Sequence, residues 1–94
     1  MSANEAERKF TLGQILATPG VLESVPNHEM LRALSRHVRG DWGDVCPEDA
    51  RENELSLTHN LRFLSSYTTE AGVKFWIITE ADRSATTVLL PEEY

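Results

Sequence analysis

The chain has 94 residues, of which 40% are apolar and 26% charged, and it carries a net charge of −6. That length holds one small domain and excludes a second. The composition is too apolar for a disordered chain, and it lacks the overall basic footprint of a nucleic-acid binder.

A single cysteine, Cys46, excludes an intramolecular disulfide and a shared thiolate metal site. No apolar run approaches the roughly 18 residues that a membrane span requires, and Met1 to Phe10 lacks the apolar stretch of a signal peptide. A reducing, cytoplasmic location is the expectation.

Residues 1–9 show no periodicity and read as a flexible N-terminal tail, which leaves residues 10–94 as a single α+β domain. Thr11 and Gln14 stand at capping-box spacing and predict a short helix from Leu12 to Ala17. The apolar and branched residues Phe10, Leu12 and Ile15 also permit a strand there. Thr18 and Pro19 open a second short helix to about Val25, because a first helical residue has no use for the amide hydrogen that proline lacks. Asn27 is the expected cap of a third helix running to Val38, with Met30, Leu31, Leu34 and Val38 as its apolar stripe and Gly40 as its left-handed stop.

Gly40, Asp41, Trp42, Gly43 and Asp44 form a turn by composition, with Trp42 expected to fold back onto the core. Pro47 starts a fourth helix whose first turns carry Glu48, Asp49 and Glu52, where carboxylates interact favourably with the helix dipole. Ala50, Asn53 and Leu57 share one face of it. A polar Asn53 on that face predicts a buried amide bonded to backbone in the next segment.

From residue 61 the period changes to two. Leu61, Phe63, Ser65 and Tyr67 form one alternating set and Val73, Phe75, Ile77 and Thr79 another, with a turn at Thr69 to Gly72 between them. A turn at Glu80 to Ser84 leads to a third strand, Thr86 to Leu90, which Pro91 ends. The predicted fold is α+β: short N-terminal helices followed by a three-stranded antiparallel β-meander packed against them, its middle strand central.

The charge is unevenly distributed. Residues 1–40 hold five basic and four acidic side chains, residues 41–60 one and six, and residues 61–94 three and five. Asp41, Asp44, Glu48, Asp49, Glu52 and Glu54 create a negative field that attracts basic partners and repels nucleic acid. A solvated helix face is the commoner use of such a run. Arg32, Arg36 and Arg39 form the chain's basic stripe, able to grip an acidic partner or a phosphate backbone, or to neutralise the protein's own acidic segment. Glu80, Asp82 and Arg83, followed by Ser84, Thr86 and Thr87, are the densest patch of functional groups. The alternative for that patch is a charged hairpin turn.

Templates for chemistry fail. No pair of His28, His37 and His59 has a metal-motif spacing, and Asp41, Asp44 and Glu48 do not fit a calcium loop. Cys46 begins a helix, where the dipole favours a thiolate, but its acidic neighbours oppose one. The reading assigns no catalytic residue, no metal and no cofactor.

Three strings, LGQILATPG from Leu12, GDWGD from Gly40 and ITEADRSATTVLLPEEY from Ile78 to Tyr94, resemble a group of short bacterial proteins. These are carried on plasmids, integrative elements and phages, and are labelled plasmid-related protein or type I restriction endonuclease subunit M. The resemblance spans residues 10 to 94 and implies a mobile-element setting without supplying an activity or site residues. A methyltransferase subunit would need a cofactor-binding α/β sheet with a Gly-rich turn and an Asn/Asp-Pro-Pro-aromatic motif, neither of which is present in the sequence.

The expected function is a non-enzymatic interaction module that binds an unidentified protein partner and neither nucleic acid nor membrane. Its candidate binding residues are Arg32, Arg36, Arg39, Asp41, Trp42, Asp44, Glu80, Asp82 and Arg83. One alternative is a small hydrolase or nuclease using Glu80, Asp82 and Arg83 beside Trp42. The other is nucleic-acid binding through the arginine stripe.

Overall fold

The computed structural model describes residues 8–94. It is α+β, with three helices and a four-stranded mixed sheet. In chain order the elements are β1 (Gln14–Ala17), α1 (Pro19–Ser24), α2 (Asn27–Val38), α3 (Pro47–His59), β2 (Phe63–Thr68), β3 (Lys74–Thr79), β4 (Ala85–Leu89) and a terminal 3₁₀ turn, Pro91–Glu93. The sheet order is β1-β4-β3-β2.

Two expectations are corrected. The segment Leu12 to Ala17 is not a helix: Gln14–Ala17 is a strand that lies parallel to β4, with Gln14 opposite Ala85 and Ala17 opposite Val88. The sheet therefore has four strands in mixed orientation in place of a three-stranded antiparallel meander, and β3 shares the centre with β4. A four-residue segment cannot be told from a helical turn by periodicity, and pairing across about 70 residues of chain decided the outcome. Residues 1–7 of the expected tail lie outside the described residues. At the tail's end, the Lys9 amide donates to the Val38 carbonyl at 2.8 Å.

Helix α1 begins where expected, with the Thr18 hydroxyl accepting from the Val21 amide and Pro19 in the first turn. The cap position of α2 is Pro26 and not Asn27, which is the first helical residue. Met30, Ala33, Leu34, His37 and Val38 form the buried side of α2, at the i, i+3, i+4, i+7, i+8 spacing of a core-facing stripe. Leu31, expected on that stripe, is 66% exposed. Helix α3 ends in a left-handed Asn60.

Strand register places Phe63, Ser65 and Tyr67 beside Thr79, Ile77 and Phe75, then Thr86 and Val88, then Ile15 and Ala17, on one face of the sheet. Helices α1 and α2 cover that face: Val21, Val25, Met30, Ala33 and Leu34 pack with Tyr67, Phe75, Ile77, Val88 and Leu90 in one core cluster. On the opposite face Trp76 meets the Tyr94 ring at 5.9 Å, and Arg62 donates to the Tyr94 hydroxyl. Helix α3 runs along the outer edge of β2, where the Asn53 amide donates to the Leu64 carbonyl at 2.7 Å and accepts from the Leu64 amide at 3.0 Å. No helix among the described residues is long and apolar enough to cross a membrane.

Candidate functional site

Most of the polar groups singled out in the sequence are held by the fold itself. Arg36 forms a two-pronged ion pair with Asp41 at 2.8 and 3.2 Å and lies over the Tyr67 ring. That hydrogen-bonded pairing raises the guanidinium pKa and lowers the Asp41 carboxyl. The Asp41 carbonyl in turn accepts from the Tyr67 hydroxyl, and burial raises the pKa of that phenol.

The GDWGD turn is stitched to β2. The Ser66 amide donates to the Trp42 carbonyl, the Asp44 amide donates to the Ser66 carbonyl, and the Asp44 carboxylate accepts from the Thr68 hydroxyl. Trp42 is buried; its ring stacks on Phe63 and its indole donates to Glu54 at 3.0 Å. Gly43 sits at φ +75 so close to β2 that a Cβ there would lie 2.0 Å from the Ser66 carbonyl oxygen.

Arg83, also at positive φ, lies 4.4 Å above the Phe63 ring and donates to the carbonyls of Ser56, Leu61 and Ala81. It thus ties the end of α3 to the β3–β4 turn. Asp82 closes its own turn by accepting from Ser84, which lowers its pKa. Glu80 lines a shallow acidic pocket with Asp49 and Glu52. Trp42 and Arg83 therefore meet at Phe63, while the carboxylates of Asp41 and Asp82 are held separately, by Arg36 and by Ser84. The arginine stripe also divides. Arg32 and Arg36 border one shallow pocket with Glu29 and Tyr67, and Arg39 lines a different, larger groove.

His37 is fully buried between α2 and the sheet. Its Nδ1 lies 2.6 Å from the Ser65 hydroxyl and its Nε2 2.9 Å from the Thr79 hydroxyl, which lies 2.7 Å from that of Thr86. The Thr86 hydroxyl donates to the Leu12 carbonyl. That last bond sets the direction of the whole chain. With its proton committed to Leu12, Thr86 accepts from Thr79, Thr79 accepts from Nε2–H, and Nδ1 accepts from Ser65. Each member is satisfied by a neutral imidazole, and burial pushes the His37 pKa down to about 3. The relay fixes Leu12, and with it the approach to β1.

A groove of about 830 Å³ opens between that approach, β1 and α2. Ile15, Leu31 and Leu34 supply apolar walls, and Arg8, Lys9 and Arg39 are among its other described lining residues. Ile15 is 52% exposed. In the parallel register, Gln14 and Thr18 direct their amides to Ser84 and Val88 of the β4 side, so alternate residues Ile15 and Ala17 direct N–H and C=O away from it. No described residue pairs with those groups. An unpaired strand edge beside an apolar groove is a template for another backbone.

Sequence reasoning missed Ile15, Leu31, Arg8 and Lys9 as surface groups of one site. The available signal was the uncharged string Gln14–Ala17, which has none of the charges or prolines that usually blunt an edge strand. Neither a protein-family model, nor a curated protein, nor a solved structure matches the chain.

Proposed function

We propose that this protein is a non-enzymatic cytoplasmic interaction module, associated with mobile elements, that docks a partner protein through the open side of its sheet. One observation carries this reading: on β1 the outward backbone groups of Ile15 and Ala17 lie beside the exposed side chains of Ile15 and Leu16, whereas Asp41, Asp82 and Arg83 are engaged internally. The resemblance of the LGQILATPG and C-terminal strings supports the mobile-element setting. It is the first of those strings that contains β1.

The test is affinity capture from a lysate of the native host with the wild-type chain and an Ile15→Asp variant in parallel. A protein retained by the wild type and lost by the variant supports the proposal. Equal recovery by both, or recovery by neither, overturns it.

A further inference from the structure

We infer that the open edge of β1 pairs with β1 of a second copy of this chain, antiparallel about a two-fold axis, so that two four-stranded sheets join into one. This inference rests on the interaction reading above and names the partner at that site and the register in which it docks.

The register follows from the edge itself. Ile15 and Ala17 direct their N–H and C=O groups away from β4, and the opposed residues of a hydrogen-bonded antiparallel pair exchange both of their bonds. A two-fold contact along this edge is centred on Ile15, on Leu16 or on Ala17. Centred on Ile15, it sets Ala17 against Gly13, whose φ of +63 takes it out of the strand. Centred on Ala17, it sets Ile15 against Pro19, which belongs to α1 and has no N–H to give. Centred on Leu16, it sets Ile15 of each copy against Ala17 of the other and uses every outward group of both residues. An edge that complements itself in this way makes an isologous contact, which closes at two copies.

The side chains agree with that register. On one face Leu16 of each copy meets Leu16 of the other across the axis, in a pair of the closer, non-hydrogen-bonded kind, and each covers a side chain that is 42% exposed in the single chain. On the other face the large Ile15 lies against the small Ala17. The two grooves open toward each other above the seam, so Leu31 of each copy, 66% exposed alone, faces the α2 of the other. Gln14–Ala17 carries no charge, so the seam brings no like charges together. The net charge of −6 on each copy acts from further away and is screened by salt. Four strand residues span about 13 Å. With the exposed parts of Ile15, Leu16 and Leu31 beside them, they bury on the order of 400 Å² per copy, about half of a standard interface. The dimer is therefore of the weak, exchanging class, with an expected Kd of about 10 to 100 μM.

The experiment follows sedimentation of the full chain over concentrations that bracket that Kd, and records magnetic resonance spectra of an equimolar mixture of isotopically labelled and unlabelled chain. The expected result is a monomer–dimer equilibrium with slower hydrogen exchange at the Ile15 and Ala17 amides as concentration rises. A nuclear Overhauser contact between labelled and unlabelled Leu16 α-protons should accompany it, since only this register brings them together. Leu16→Lys and Leu16→Glu each set like charges across the axis and should weaken the dimer by about tenfold, whereas an equal mixture of the two variants should recover association. Leu16 is exposed, so both variants should keep the resonances of β2 and β3 in place. Ile15→Pro deletes an outward amide that the sheet does not use and should also abolish the dimer. Raising salt from about 0.05 to 0.5 M should tighten the wild-type dimer by about twofold, because it screens the repulsion between two acidic copies.

A chain that stays monomeric throughout, association that the Leu16 variants and Ile15→Pro leave intact, contacts between copies centred on another surface, or a dimer loosened by salt overturns the inference. If the chain stays monomeric and the wild type retains a different host protein that Ile15→Asp loses, the second copy fails as occupant while the interaction reading survives. If neither experiment gives a signal, both fall.

Discussion

The two outer edges of the sheet are treated in opposite ways. Along β2 the backbone groups of Leu64 are taken by the Asn53 side chain, those of Ser66 by Trp42 and Asp44, and the Arg62 carbonyl by the Ser56 hydroxyl. Along β1, Ile15 and Ala17 face outward with no partner among the described residues. A domain of this size thus devotes one helix and one turn to closing an edge, and leaves the other edge bordered by a groove. Closing an edge needs polar groups of side chain or backbone aimed at the strand; leaving one open needs only their omission.

The largest expected effect comes from forcing the closed edge apart. Gly43→Ala combines the strain of a left-handed backbone with a Cβ placed against the Ser66 carbonyl, and should destabilise the fold by about 3 kcal/mol in urea denaturation. Asn53→Ala leaves both Leu64 groups without their partner and should cost about 2 kcal/mol. It should also raise the tendency to aggregate, measured by light scattering, by giving the molecule a second open edge.

A third prediction concerns the relay that connects the two sides. Burial lowers the folded pKa of His37 to about 3 from its ordinary 6.5, so the unfolded state binds more protons between those values. Stability is therefore fully present above pH 6.5 and is lost as pH falls toward 3. Between about pH 8 and 5.5 the loss should reach about 1.4 kcal/mol, a window above the usual carboxylate range. His37→Gln removes the titration and should flatten that part of the profile whatever it does to absolute stability. The smallest effect is expected at the open edge: Ile15→Lys should change stability by less than about 0.5 kcal/mol, which would separate a surface kept for docking from one kept for folding.

Much of this architecture is legible in the residues. Pro19 and Pro47 mark helix starts, the alternation from Phe63 to Thr79 marks the hairpin, and Asn53 on the inner side of α3 points to the backbone bond it makes with Leu64. Strand β1 was legible only as an alternative to a helix, through the apolar and branched residues Phe10, Leu12 and Ile15. Its Thr11–Gln14 pattern satisfies a helix cap locally, and only a distant C-terminal strand overrides it.

The arginines were visible as a stripe, but what each meets depends on the fold. Arg36 is taken by an aspartate five residues on, Arg39 borders the groove, and Arg83 reaches back to the end of α3. His37 fits no metal spacing in the sequence, and its two hydroxyl partners come from two different strands, with Thr86 of a third strand one bond further on.

The C-terminal turn bears on the open strand as well. Glu93 accepts from the Thr18 hydroxyl, from the Gly20 amide at 2.9 Å and from the Leu90 amide, and these bonds, the Thr18 hydroxyl first, lower its pKa. Thr18 is the residue at which β1 gives way to α1, while Leu12, just ahead of β1, is held by Thr86. The strand is thus clamped at its entrance and at its exit, like a rail bolted at both ends. Whatever chain lies down against it meets a backbone already in its final shape, and the ordering required on contact falls on the newcomer alone.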